Sequence, residues 1–155
     1  MDLLSERQLA LCDEVRVMCT CNQLRRATRT ITQLYDAAMA PSGLKVTQLP
    51  ILVGLVSIGD MSIGALADAL AVDRTTLTRN VRVLEQRDLV RSVGREGDAR
   101  VRMLTVTPAG SQMLSDALVR WQEVQGAVER EVGRERLRAL YGELAAVSQA
   151  AGDAS

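Results

Sequence analysis

The hydrophobic period of this 155-residue chain is helical nearly everywhere and shortens to two over one stretch only, between Leu89 and Val106. Leu89 to Val93 is short and β-branched, Gly94 to Gly97 carries turn residues, and Val101 to Val106 alternates, so the stretch reads as a β-hairpin. A lone hairpin has no large sheet to join and must pack on the helices beside it. Those helices are short. Ser62 can cap one that runs through Leu66 to Leu70. Ala71-Val72 is a tight connection, and Asp73 can cap the next helix, with Leu77, Val81 and Leu84 on one side. Two short helices joined by a tight turn, then a hairpin, make a winged helix-turn-helix.

The flanks are longer. Ser5 with Gln8 three residues on fits a capping box. From there to Ala40 there is no Pro or Gly, and Leu24, Ala27, Ile31, Leu34 and Ala38 recur at steps of three and four, which predicts one long amphipathic helix. Pro41-Ser42-Gly43 ends it, and Thr47 can cap a second helix to about Ile58, with Pro50 in its first turn. Thr107-Pro108 is a helix start. The helix it opens runs to about Val132 with Ala117, Trp121, Val124 and Val128 on one stripe. After Gly133 a last helix aligns Leu137, Leu140, Leu144 and Val147. The expected fold is mainly α with a small β-hairpin wing: residues 47–106 form a DNA-binding lobe, and residues 1–46 and 107–155 form a helical dimerisation region. The apolar stripes of that region exceed what so small a lobe can cover, and a second copy of the chain is the simplest partner.

Apolar residues make up 47% of the sequence, yet Phe is absent and there are only one Trp and two Tyr, so the core is aliphatic. No run of eighteen apolar residues exists, and the N-terminus lacks a basic segment followed by an apolar one. A cytoplasmic protein without a membrane span is therefore expected. With no His, the commonest general base and metal ligand is missing. No phosphate-binding loop, dinucleotide fingerprint or nucleophile elbow appears, and the carboxylates are scattered, so neither an enzyme nor a cofactor or metal site is expected.

The formal net charge is zero, but charge is unevenly placed. Between Asp73 and Arg102 stand eight Arg (74, 79, 82, 87, 91, 95, 100 and 102) against five acids (Asp73, Glu85, Asp88, Glu96 and Asp98). Phosphate neutralisation supplies most nonspecific affinity for DNA, and this excess lies where a recognition helix and wing would sit. The helix opening at Asp73 presents Arg74, Thr75, Thr76, Thr78, Arg79 and Arg82. Helix-turn-helix proteins read base edges with those first turns, Arg reading guanine and Thr touching phosphate or thymine methyl. The same threonines would equally serve to cap and solvate the helix. In the wing, Arg95, Arg100 and Arg102 add charge beside Asp98. A helical protein-interaction module without DNA binding is the competing reading; it accounts for the amphipathic stripes but not for the Arg-rich helix and hairpin.

The ordered set of motifs resembles the MarR family of bacterial transcription regulators. Gly43-Leu44 with Thr47-Gln48 looks like its entry to the second helix, Ser62 to Ala67 like the first helix of its helix-turn-helix, and Asp73 to Glu85 like its recognition helix. Asp98-Ala99-Arg100, then Thr107 and Gly110, match its D-x-R and T-x-x-G. The resemblance implies a homodimeric repressor on a pseudo-palindromic operator in double-stranded DNA, released by a small-molecule or thiol-reactive effector. It implies a minor-groove contact for Arg100 held by Asp98, and groove or phosphate contacts for Thr75, Thr76 and Arg79. Two positions depart: the family usually has Gly where Asp88 stands, and often Arg where Ala99 stands.

Three cysteines, Cys12, Cys19 and Cys21, fall within ten residues and form no disulfide scaffold. On one straight helix Cys12 and Cys19 share a face about 10 Å apart along the axis, too far to bond. Cys21 shares the stripe of Val17, Leu24 and Ile31, which predicts a shielded thiol, and Arg16 precedes Cys19 by one turn. Cys19 is thus the candidate thiol sensor with Cys12 as auxiliary, and three silent thiols are the alternative.

Overall fold

The computed structural model describes residues 4–95 and 98–153; the side chains of 95, 98–101 and 153 lie outside the description. The first segment folds as two helices, α1 (Glu6–Met18) and α2 (Thr20–Met39). The capping box at Ser5 and Gln8 is present. The expected single long helix is interrupted at Cys19, whose ψ of 109° is extended. No Pro or Gly breaks it. Residues 19–22, Cys-Thr-Cys-Asn, are all weak helix formers, and the Gln23 side chain donates to the Val17 carbonyl at 2.6 Å, taking over an orphaned acceptor.

A 3₁₀ turn (Ala40–Ser42) and Gly43 at φ +75° lead on to α3 (Leu49–Ser57). Its N-cap is Gln48 rather than Thr47, which lies in the preceding turn. The Gln48 side chain turns back to accept from the Lys45 N–H. A two-residue strand, β1 (Met61–Ser62), was not foreseen; it is too short to show alternation. Helix α4 (Ile63–Leu70) starts at Ser62, whose hydroxyl accepts from Ala65 N–H, and α5 (Arg74–Gln86) starts at Asp73, whose carboxylate accepts from Thr76 N–H at 2.8 Å.

Both helices end in the same way. Ala71 and Asp88 adopt positive φ (51° and 53°), and the residue after each donates back to the carbonyl five residues earlier, Val72 to Ala67 and Leu89 to Leu84. This is the Schellman closure, so Asp88 serves where glycine is usual.

The wing is β2 (Val90–Arg95) paired antiparallel with β3 (Asp98–Val106), longer on both arms than the sequence pattern suggested. β1 pairs with the other edge of β3, giving the order β1-β3-β2. Helix α6 (Pro108–Val132) opens on Thr107, and α7 (Arg134–Asp153) follows Gly133. The core is one cluster in which Leu52, Leu55, Leu66, Leu77, Leu84, Val90 and Leu104 meet Met39 of α2 and Leu114 and Ala117 of α6. Burying a Leu in it stabilises the fold by about 2 kcal/mol.

Outside that cluster, large apolar side chains remain open in the single chain. Ile31 and Leu34 on α2 are each 45% exposed, and Leu140, Leu144 and Val147 on α7 are also exposed. Among the described residues no helix is long and apolar enough to cross a membrane.

Candidate nucleic-acid interface

Leu77, Val81 and Leu84 bury one face of α5, so the opposite face is fixed toward solvent. On that face Thr75, Arg79 and Arg82 stand in line at i, i+4 and i+7, and with Arg74 and Thr78 they border one open groove. Five of the six expected helix contacts are thus brought together. Arg74 lies against the first turn of α4, where a Cβ on Gly64 would come within 2.6 Å of its guanidinium. The Thr78 hydroxyl donates to the Arg74 carbonyl at 2.6 Å, which leaves its oxygen free to accept.

Thr76 is the exception. It turns to the other flank of α5 and lines a cleft of about 180 Å³ with Thr47, Pro50, Ile51, Leu70, Val72 and Asn80. Asn80 shares that flank and donates to the Thr76 carbonyl. Gln86 lies on the line of Thr75, Arg79 and Arg82 one further helical step on and is exposed. Sequence reading passed over both Asn80 and Gln86, although helical spacing alone would have found Gln86.

In the wing, Arg102 reaches across the hairpin. Its Nε donates to Ser92 Oγ at 2.9 Å and a terminal nitrogen donates to the Ser92 carbonyl at 2.7 Å. Two of its donors are therefore spent on holding β2 to β3, just before the register shifts between Gly94 and Arg95. Arg95, Asp98 and Arg100 lie on the strands next to this shift, and their side chains fall outside the described residues.

The T-x-x-G at the wing exit has a clear physical basis. Thr107, 1% exposed, donates its hydroxyl to the Asp88 carbonyl at 2.6 Å and accepts from Gly110 N–H at 2.9 Å. A Cβ on Gly110 would collide with the Leu89 carbonyl oxygen. One threonine and one glycine thus lock the end of the recognition helix, the wing and α6 together.

The cysteines are arranged otherwise than expected. Cys21 is exposed in the single chain, because α2 turns its Tyr35 and Met39 inward instead, and Cys19 is half-buried at the break. Cys12 is exposed. The break removes the single straight helix on which Cys12 and Cys19 would share a face.

Two short helices with a capped second helix, followed by a pinned hairpin, define a winged helix-turn-helix protein. The MarR family profile matches residues 42–101, which take in most of the lobe just described. The transcriptional regulator MosR of M. tuberculosis, solved in complex with DNA, is 36% identical over 86% of this chain and 98% of its own, with a TM-score of 0.74. The chain belongs to the MarR family of transcriptional regulators. A mutant MarR from E. coli complexed with operator DNA (16% identity, 86% and 96% covered, TM-score 0.77) shares the fold. So does PcaV of Streptomyces coelicolor in complex with its natural ligand (18% identity, 88% and 96% covered, TM-score 0.79). None of the curated proteins matches the chain.

Proposed function

We propose that this protein is a homodimeric repressor that binds a pseudo-palindromic operator, with α5 in the major groove and the wing against the minor groove. The observation that carries the reading is the exposed line of Thr75, Arg79 and Arg82, flanked by Arg74 and Thr78 and set opposite the buried face of α5. In this reading residues 47–106 are the DNA lobe, and residues 1–46 and 107–155 join two copies through the open apolar faces of α2 and α7. Arg79 and Arg82 read bases or phosphates, and Thr75, Thr76 and Thr78 make shorter contacts. Arg95 and Arg100 serve the wing with Asp98 as orienting acid, and Arg102 adds its charge there while bracing the hairpin.

An effector, either a small organic molecule or a thiol-reactive compound, releases the DNA. Sequencing the duplexes that the purified protein selects from a random pool tests the reading. A two-fold related motif with half-site centres about one helical turn apart is expected, and a pool that stays random would refute it. Cys12→Ser, Cys19→Ser and Cys21→Ser variants, alone and together, divide the effector classes. Loss of the response to an oxidant on replacing Cys19 assigns the thiol, and a triple variant that responds like the parent assigns an organic ligand.

A further inference from the structure

Arg87 belongs to the positive excess of the lobe and is exposed, yet two of its donors are engaged within the chain. It follows the last residue of α5, at the end away from Thr75. Its Nη1 donates to the Gly43 carbonyl at 2.8 Å and its Nη2 to the Met113 sulfur at 3.2 Å. Gly43 lies in the turn by which the chain enters the lobe from α2, and Met113 lies on α6, by which the chain leaves it. One side chain at the C-terminal cap of the recognition helix thus bonds to both segments that carry the lobe. A Cβ on Gly43 would come within 3.1 Å of the guanidinium, so glycine suits the approach as well as the positive φ.

A guanidinium is a rigid planar fork, and two bonds from it to different elements fix an angle as well as a distance. The consequence grows along the helix. The thirteen residues of α5 span about 20 Å, so a tilt of about 5° at Arg87 moves the DNA-facing end by about 2 Å, roughly half of one base-pair step. In a two-fold dimer both recognition helices would move, and the half-site spacing that fits would change with them.

We propose that Arg87 is a positioning residue, a strut that sets the angle of the recognition helix on its dimerisation helices and so the half-site spacing the dimer accepts. The inference rests on the DNA-binding reading above. Its location at the far end of α5 from the base-reading turns, and its two engaged donors, set it apart from Arg79 and Arg82.

The test uses the duplex selected by the wild-type protein, and the same duplex with one base pair inserted or removed between half-sites. Arg87→Met is expected to lower affinity for the native spacing about three- to tenfold, and to reduce preference over the altered spacings by at least about threefold. The dependence of log affinity on log salt should stay unchanged, because no phosphate ligand is removed. Arg87→Lys, which keeps the charge but not the fork, should recover part of the preference, and Met113→Leu should lose a smaller part. Wild-type spacing preference in Arg87→Met overturns the strut. So does a salt slope shallower by about one, which would make Arg87 a phosphate ligand. If circular dichroism shows Arg87→Met unfolded, Met113→Leu decides, and an unchanged preference there overturns the strut. A wild-type protein that selects no DNA removes the DNA-binding reading and the strut with it.

Discussion

Single residues in this lobe divide by where their polar atoms go. Among the described residues Arg79 and Arg82 have no partner shown and stand on the open face of α5, whereas Arg87 and Arg102 are engaged with carbonyl, hydroxyl and sulfur acceptors. Replacing Arg79 or Arg82 with Ala is therefore expected to weaken DNA binding and, for each phosphate ligand removed, to make the salt slope shallower by about one. A slope unchanged in both variants would remove them from the phosphate interface. Asp73 acts through the helix instead. Hydrogen bonds from Thr76, side chain first and then backbone, hold its carboxyl below the usual carboxylate range. A depressed folded value means that the stabilisation is present above the ordinary carboxyl value and is lost as pH falls through the lowered one. The thermal midpoint should drop on acidification below about pH 4, and Asp73→Ser, which keeps a cap without a titrating group, should lose the Asp73 share of that drop. An identical acid profile in the variant would show that the cap carries no linkage.

Among the helices and strands, the decisive joint is where α5, the wing and α6 meet. Thr107 satisfies the Asp88 carbonyl and the Gly110 N–H at once while almost fully buried. Thr107→Val keeps the shape and removes both bonds, so a loss of about 2 kcal/mol in unfolding free energy is expected in denaturant titration. A change below about 0.5 kcal/mol would mean that the joint relaxes to other partners. The wing itself is pinned by Arg102 on Ser92 close to the register shift between Gly94 and Arg95, where pairing alone would hold it less firmly. The break at Cys19 is of another kind. It frees α1, which has no buried residue of its own in the single chain, to take a direction independent of α2.

At the scale of the whole chain, apolar side chains of α2 and α7 stay open to solvent. Ile31 and Leu34 on α2 and Leu140, Leu144 and Val147 on α7 are 37–46% exposed, and we propose that a second copy of the chain covers them. Sedimentation at micromolar concentration is expected to give twice the 16.8 kDa of the chain. Leu140→Asp combined with Leu144→Asp should shift it toward the monomer and abolish operator binding together. A monomeric wild type would end the two-fold reading. If each protomer makes about four phosphate contacts, the dimer's log affinity should fall with log salt at a slope near −7.

Local chemistry in the sequence was sufficient for most of the elements. Ser5, Ser62, Asp73 and Thr107 cap the helices they were expected to cap, because a capping oxygen and the N–H it meets lie within three residues of each other. Leu77, Val81 and Leu84 announced the buried face of α5 by period, and the exposed line of Thr75, Arg79 and Arg82 follows from that face. What sequence could not decide depends on residues far apart in the chain. β1 exists because two residues happen to reach the free edge of β3, and Arg87 meets a carbonyl 44 positions earlier and a sulfur 26 positions later. The charge of Arg102 could be counted from the sequence, but that its fork also bonds to Ser92 follows only from the pairing of β2 with β3. Charge and period are local properties and can be read along the chain; whether a donor is free or already taken is decided only when folding brings its acceptor to it.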